Sequence, residues 1–153
     1  MPRMTQELRI PADDLNLLKA LQRHEVPFII IGGHAVRFHS LAREVEELDV
    51  LVDSAGRDEA LRTALIETLG YSPIITGVAY EEIHLKQNGL NIDILMWAQG
   101  VKFAKAYRAA HAVKAEGITL RVMSKEHLIS NKRAVGREKD LSDVERLEAA
   151  ASL

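Results

Sequence analysis

Two short acidic motifs are the parts of the sequence that could perform metal-dependent chemistry. Glu47 and Asp49 are two residues apart in an alternating segment, so on a β-strand both carboxylates project from one face, about 6 to 7 Å apart along the chain. Asp93 lies in the apolar segment 90–96, where an unpaired ionised carboxylate would cost several kcal/mol. Carboxylates on neighbouring strands suit one or two Mg²⁺ or Mn²⁺ ions that also bind a triphosphate. Alternatively, Asp93 pairs with an arginine or caps a loop, and the other two acids are solvated residues at a sheet edge.

Gly32 and Gly33 connect a predicted strand to a predicted helix and could bring the backbone close to a phosphate. The N–H groups and the dipole of a helix N-terminus favour an anion at that point. The pair matches neither the G-x-G-x-x-G motif nor the P-loop, and glycines in tight strand-to-helix turns often serve a steric purpose. Its place directly before the helix that leads to the acidic strand favours phosphate binding.

Hydrophobic periodicity predicts the elements that must position these residues. Helices are predicted over residues 15–24 (capped by Asp13 or Asp14), 34–42, 57–69, 102–114, 124–135 and 141–150, and strands over residues 28–31, 47–53, 80–86, 90–96 and 118–123. Asn88 and Gly89, between the third and fourth strands, are a strong hairpin signal. The alternation of helices and strands with an internal hairpin predicts an α/β fold, a mixed sheet flanked by helices with two further helices at the C-terminus.

The composition fits one domain over residues 1–153, with 47% hydrophobic and 27% charged residues. The absence of cysteine excludes disulfides, thiolate nucleophiles and cysteine-ligated metals. A formal net charge of −2 gives no overall attraction to nucleic acid or anionic lipid. No apolar stretch approaches the ~20 residues that span a bilayer, and the N-terminus lacks the apolar core of a signal peptide. We therefore expect a cytoplasmic protein with no membrane partner.

Several other residues have a structural and a functional interpretation. The predicted helix 102–114 carries a basic stripe that consists of His111 and four basic residues, Lys102, Lys105, Arg108 and Lys114. This basic stripe is either a solvated face or a surface that attracts RNA or an acidic partner. The spacing of His34 and His39 does not place both on one helical face, which argues against a zinc site. Trp97 and Tyr107 are isolated aromatic residues, so the sequence indicates no base-stacking platform.

The first acidic motif and the glycines together resemble a family signature. Residues 31–36, His39, Arg43 and the acidic segment 47–53 resemble the motif of the nucleotidyltransferase (DNA polymerase β-like) superfamily. In its small bacterial members this motif reads Gly-Gly-x-Ala followed by Arg-x-Thr-x-Asp-x-Asp. The resemblance implies a nucleotidyltransferase-like fold.

Two later blocks extend the resemblance to about residues 28–147. Asp93 resembles the third catalytic carboxylate of the superfamily. Residues 128–144 resemble the C-terminal Lys and Arg-x-Lys-Asp-Leu-x-Asp element of the group that contains the AbiEii-type toxins. The three blocks in this order are far more specific than any one of them alone.

The resemblance implies a role for eight residues. Three would be catalytic carboxylates that hold the metal, namely Glu47, Asp49 and Asp93, and five would contact the nucleotide, namely Gly32, Gly33, Arg43, Lys132 and Arg137. Lys132 and Arg137 have a structural alternative, in which they neutralise Asp140 and Asp143. The implied activity is Mg²⁺-dependent transfer of a nucleoside monophosphate from an NTP to an acceptor hydroxyl of RNA, protein or a small molecule. The relatives suggest a toxin–antitoxin setting, and a homodimer or an antitoxin partner would complete the cleft.

Two departures from the family pattern support an alternative function. Val45 stands where the family has threonine, and Glu47 stands where it has the first aspartate. The alternative is a catalytically degenerate module that binds a nucleotide or a partner without chemistry.

Overall fold

A computed structural model describes residues 8–40, 44, 45, 47–71 and 82–150 of the 153-residue chain. The helices in this part of the chain are α1 (Ala12–Arg23), α2 (Gly32–Ser40), α3 (Asp58–Leu69), α4 (Phe103–Ala109), α5 (Lys125–Val135) and α6 (Glu138–Ala149). The strands are β1 (Phe28–Ile31), β2 (Leu48–Val52), β3 (Glu82–Leu85), β4 (Ile92–Leu95), β5 (His111–Ala115) and β6 (Ile118–Val122). No helix among the described residues is both long and apolar enough to traverse a lipid bilayer.

The strands form one mixed sheet in the order β3-β4-β2-β1-β6-β5. β1 is antiparallel to β2 and parallel to β6, whereas β2 is parallel to β4, and the two ends of the sheet are antiparallel hairpins. The predicted α/β fold with a mixed sheet, flanking helices and C-terminal helices is therefore confirmed. The apolar residues of the central strands are fully buried, among them Ile29, Ile30, Val50, Ile92 and Ile94. A carboxylate on one of these strands therefore lies beside a core from which water is excluded.

The first helix begins differently from the prediction. Pro11 occupies the N-cap position without a capping side chain, and Asp13 and Asp14 lie inside the first turn. Asp14 is buried, and its Oδ1 accepts a hydrogen bond of 3.0 Å from the backbone N–H of Asn91. The predicted cap is wrong because this carboxylate connects α1 to the start of β4 instead of satisfying the N–H groups of its own helix.

The predicted helix over residues 102–114 is also wrong in its second half. α4 ends at Ala109, and residues 111–115 form β5, whose side chains alternate between half-buried and exposed. Glu116 and Gly117 have φ of 44° and 84°, which closes a tight hairpin to β6. His111 and Lys114 therefore lie on a strand, and the basic residues do not form one helical stripe.

The remaining differences are at element boundaries. α2 begins at Gly32 rather than at residue 34, and α6 begins at Glu138 rather than at residue 141. Ser124 caps α5 as predicted, since its Oγ accepts a hydrogen bond from the backbone N–H of His127. The predicted hairpin is confirmed for β3 and β4, whereas residues 80 and 81 of the predicted strand lie outside the described residues, as does Arg43.

Candidate active site

The three predicted carboxylates lie together at one end of the central strands. Asp49 of β2 is the register partner of Asp93 of β4, and adjacent strands are about 4.8 Å apart. Glu47 directly precedes β2, and one oxygen from each of the three carboxylates lies within 4.8 Å of the others. Among the described residues this is the one group of at least three acidic or histidine side chains close enough to share a metal ion. The donor set consists of oxygen alone, which fits Mg²⁺ or Mn²⁺.

The carboxylates line an open cavity of about 760 Å³ between the end of the sheet and helices α5 and α6. Gly32, Gly33 and Val45, which is one of the two departures from the family pattern, also line it. The other charged or polar lining residues are Glu44, Glu82, His84, Gln99, Asn131, Lys132, Arg137, Lys139, Asp140 and Asp143. The cavity is therefore acidic at the strand ends and contains basic side chains from the C-terminal helices.

The electrostatic environment of Asp49 is unfavourable for its charge. Burial raises the pKa of this carboxyl to about 7, and the neighbouring carboxylates of Asp93 and Glu47 add to the increase. The ammonium of Lys132 offsets part of it. A cation among the three carboxylates would remove this repulsion, so the residues present fit a divalent metal ion.

Asp93 is held by a histidine that the sequence analysis did not identify. His84 Nδ1 lies 2.6 Å from Asp93 Oδ1, and its Nε2 lies 3.3 Å from Glu82. The hydrogen bond to Asp93 raises the pKa of the imidazole. A signal for this pair was present, because His84 and Asp93 are each four residues from the Asn88–Gly89 turn and a symmetric hairpin places them opposite each other. Asp93 is therefore compensated by histidine rather than by an arginine.

Gly32 allows the backbone to approach Asp49 closely. Its φ is +65°, and a Cβ at this position would overlap Asp49 Oδ2 and lie 2.9 Å from Asp49 Cβ. Only glycine satisfies both requirements. This steric role is separate from the predicted contact of Gly32 and Gly33 with phosphates, which stays a prediction.

We expect the substitution Gly32→Ala to destabilise the fold by about 3 kcal/mol, because positive φ costs a non-glycine residue about 1 to 2 kcal/mol and the collision with Asp49 adds to it. Gly56→Ala is the matched control, since Gly56 has φ +69° and a Cβ added there would have no neighbouring atom within 4 Å. Urea denaturation measures both. Equal losses in the two variants would contradict the close approach to Asp49.

The basic residues of the C-terminal element are engaged by acids of α6. Lys132 Nζ lies 2.9 Å from Asp143 and 3.6 Å from Asp140, and all three side chains are buried. Arg137 Nε donates to Asp140 at 2.7 Å, while its side chain is 59% exposed. Both basic residues therefore pair with acids of α6, as in the structural alternative. Arg137 has more exposed surface for a ligand than Lys132.

The two histidines of α2 have structural surroundings. Burial and the nearby Arg37 lower the pKa of His34 to about 4, so its imidazole is neutral. His39 is buried, and its Nε2 lies 2.8 Å from the carbonyl oxygen of Met123. His39 also packs edge to face against Phe38. These contacts agree with a packing role.

Comparisons with known proteins identify the fold. No protein-family model matches the sequence, and no curated protein matches it. An antigenic nucleotidyltransferase-like protein from Paracoccidioides brasiliensis superposes with a TM-score of 0.50 at 15% identity, over 90% of this chain and 77% of that chain. The antibiotic-resistance factor ANT(2'')-Ia superposes with a TM-score of 0.50 at 18% identity, over 87% of this chain and 79% of that chain. The chain therefore has the fold of nucleotidyltransferase-like proteins.

Proposed function

We propose that this protein is a Mg²⁺-dependent nucleotidyltransferase that moves a nucleoside monophosphate from an NTP to an acceptor hydroxyl. The observation that carries the proposal is the convergence of Glu47, Asp49 and Asp93 within 4.8 Å on the wall of a large open cavity. The nucleotidyltransferase-like fold and the sequence motifs support the same activity.

The three carboxylates would hold Mg²⁺, or Mn²⁺ in its place. When bound, the metal would neutralise the negative charge that develops on the transferred phosphoryl group and on the departing pyrophosphate. His84 orients Asp93 through the 2.6 Å hydrogen bond, so this carboxylate is fixed before substrate arrives. Gly32 gives Asp49 the space that it needs beside the start of α2.

The reaction exchanges one bond at the α-phosphorus. The acceptor oxygen forms a bond to that phosphorus, the bond to the bridging oxygen of the β-phosphate breaks, pyrophosphate leaves and the hydroxyl proton passes to water. Positioning the two oxygens in line and stabilising charge are the contributions that a protein makes to such a transfer. The cavity has room for a nucleotide beside the carboxylates.

The phosphate contacts in this proposal differ in their structural support. Gly32 and Gly33 lie at the N-terminus of α2 and line the cavity, where N–H groups favour an anion. Arg137 lines the cavity with an exposed guanidinium, whereas the charge of Lys132 is shared by two buried acids. Arg43 enters the proposal from the sequence motif alone.

The partner proposals rest on the same resemblance. An acceptor on RNA or protein, a toxin–antitoxin setting, and a homodimer or antitoxin that completes the cleft all extend the proposed activity. The proposal places the carboxylates and the nucleotide contacts in one domain, residues 1–153, and leaves the acceptor side of the cleft to such a partner. In the alternative, the domain binds the nucleotide without transfer, and Val45 favours it because this residue lines the cavity without the hydroxyl of the family's threonine.

The test is incubation of the purified protein with each α-labelled NTP, Mg²⁺ and either bulk RNA or a cell lysate. We expect label to appear on RNA or protein and to disappear when EDTA removes the metal. Mg²⁺-dependent NTP binding without any labelled product would favour the degenerate module. Absence of both binding and transfer would contradict the proposal.

The raised pKa of Asp49 predicts a pH-dependent effect of the metal. The unfolded carboxyl titrates near pH 4, so the folded protein holds this proton more tightly, and the resulting stability is fully present below about pH 4 and lost as pH rises through about 7. Metal-free protein should therefore melt at a lower temperature at about pH 8 than at about pH 6. Mg²⁺ binds the ionised form, so we expect it to raise the melting temperature by several degrees more at the higher pH. Differential scanning calorimetry measures these shifts.

The control for this prediction is Asp49→Asn, which cannot titrate at this position. The charged groups that act on Asp49 remain in that variant, namely Glu47, Asp93, Lys132 and Arg137, and so does His84, which contacts Asp93. The difference between the two proteins therefore isolates Asp49. A Mg²⁺-induced shift that is equal in both proteins would show that Asp49 is not part of the metal site.

A further inference from the structure

Trp97 is the one tryptophan in the sequence, and it lies on the wall of the cavity that contains the carboxylates. It follows β4 by two residues, and Asp93, Leu95 and Trp97 all line this cavity. The side chain is 49% exposed. Aromatic side chains are common in the lining of cavities that bind small molecules, so its place on the wall of this cavity is the relevant observation.

The loop that carries Trp97 is held against α5. Asn131 Nδ2 donates a hydrogen bond of 2.9 Å to the carbonyl oxygen of Gln99. Gly100 has φ +73°, and a Cβ there would lie 3.0 Å from the backbone oxygen of Ser130. The backbone at Gln99 and Gly100, just beyond Trp97, is therefore held against α5, so a ligand would not have to order this loop.

Part of the lining of this cavity suits a planar uncharged ligand. Val135, which is 37% exposed, and the amide side chains of Gln99 and Asn131 line the same cavity. Amides can form hydrogen bonds with base edges, and an apolar side chain packs against a ring face. Among the described residues, the ring contacts involve other aromatic side chains and none includes Trp97.

We infer that Trp97 is the stacking platform for the nucleobase of the bound NTP. The inference rests on the proposed function, in which the phosphates of the NTP lie at the three carboxylates and its base lies at Trp97. Trp97 lies four positions after Asp93, at most roughly 13 Å of extended chain, which a nucleotide can span from its phosphates to its base. Stacking on an aromatic ring tolerates different bases, so all four NTPs should bind. This revises the expectation that Trp97 is an isolated aromatic residue without such a role.

The first test uses the fluorescence of Trp97, which reports on this position alone because the chain has no other tryptophan. We expect each NTP with Mg²⁺ to quench the emission in a saturable manner after correction for absorbance with free N-acetyltryptophanamide. Inorganic tripolyphosphate with Mg²⁺ is the matched ligand, since it has the phosphates without a base. Tripolyphosphate should raise the melting temperature, which shows that it binds, and it should leave the emission nearly unchanged.

The second test compares Trp97→Ala and Trp97→Phe. Trp97→Ala should weaken NTP binding about 10-fold or more, Trp97→Phe should retain most of the affinity, and both should bind tripolyphosphate like the wild type. NTP binding that leaves the emission unchanged, or equal losses of NTP and tripolyphosphate affinity in Trp97→Ala, would overturn this inference alone. Quenching by a single-stranded RNA oligonucleotide but not by NTP would overturn it in favour of the acceptor. Failure of wild-type protein to bind either NTP or tripolyphosphate would overturn the proposed function as well.

Discussion

Asp49→Asn and Asp93→Asn are each expected to reduce the rate of nucleotide transfer by about 1,000-fold, because each removes a carboxylate that would hold the metal ion of the proposed reaction. Both substitutions keep the size of the side chain. Asp49 and Asp93 are register partners on β2 and β4, so loss of either charge leaves an incomplete oxygen cluster. The measurement is the initial rate of label transfer from an NTP, together with the apparent Mg²⁺ affinity of each variant.

Asp53→Asn is the matched control for these variants. Asp53 follows the same strand, pairs with Arg57 at 3.1 Å and does not line the cavity. It should therefore retain wild-type activity. Loss of transfer in Asp53→Asn to the same extent would show that the effect comes from the fold rather than from the site.

Stability separates a loss of chemistry from a loss of structure in the same experiment. Without metal, Asp49→Asn removes a buried charge and its repulsion by Asp93 and Glu47, the two causes that raise the pKa of this residue, so the variant should unfold at a higher temperature than the wild type at neutral pH. A protein that is more stable and inactive is the combination expected of a metal ligand. Glu47→Gln should also lose most of its activity, whereas Glu47→Asp keeps the charge and should keep measurable activity.

The acidic cluster was predictable because its signals are local. The spacing of Glu47 and Asp49 defines one strand face, and an aspartate within an apolar strand requires a partner or a metal. The pairing of β2 with β4 brings these signals together, and it depends on the order of strands in the sheet. Strand order is a property of the whole fold. The motif resemblance implied that fold, whereas hydrophobic periodicity carries no information on strand order.

The errors arose where contacts between distant segments decide the local structure. The sequence of residues 111–115 is compatible with a helix, and their pairing with β6 makes them a strand. The Glu116–Gly117 turn between the two strands is a weaker hairpin signal than Asn88–Gly89. The sequence places Asp14 just before the apolar stripe, as expected of a cap, but the helix begins earlier and the backbone N–H of Asn91 is the partner of Asp14. His84 was missed because the register of the hairpin was not extended from the turn to the neighbouring strand residues.

Lys132→Met is expected to destabilise the protein by about 3 to 5 kcal/mol, because it leaves two buried carboxylates without their shared cation. Lys132 reaches Asp143 at 2.9 Å and Asp140 at 3.6 Å, and the two acid side chains are 1% and 2% exposed. Arg146 still pairs with Asp143 and Arg137 with Asp140, which limits the loss. Urea denaturation of the metal-free protein measures the change.

Two further variants define the role of Lys132. Arg133→Met removes a cation from the same helix whose partner Glu148 is on the surface, so it should cost about 0 to 1 kcal/mol. The double variant Lys132→Met with Asp143→Asn should recover part of the lost stability, because one buried charge is then absent. A Lys132→Met protein that is as stable as the wild type but binds tripolyphosphate poorly would contradict the structural role. That result would indicate that the Lys132 ammonium binds the phosphates, because loss of a phosphate contact weakens binding without lowering stability.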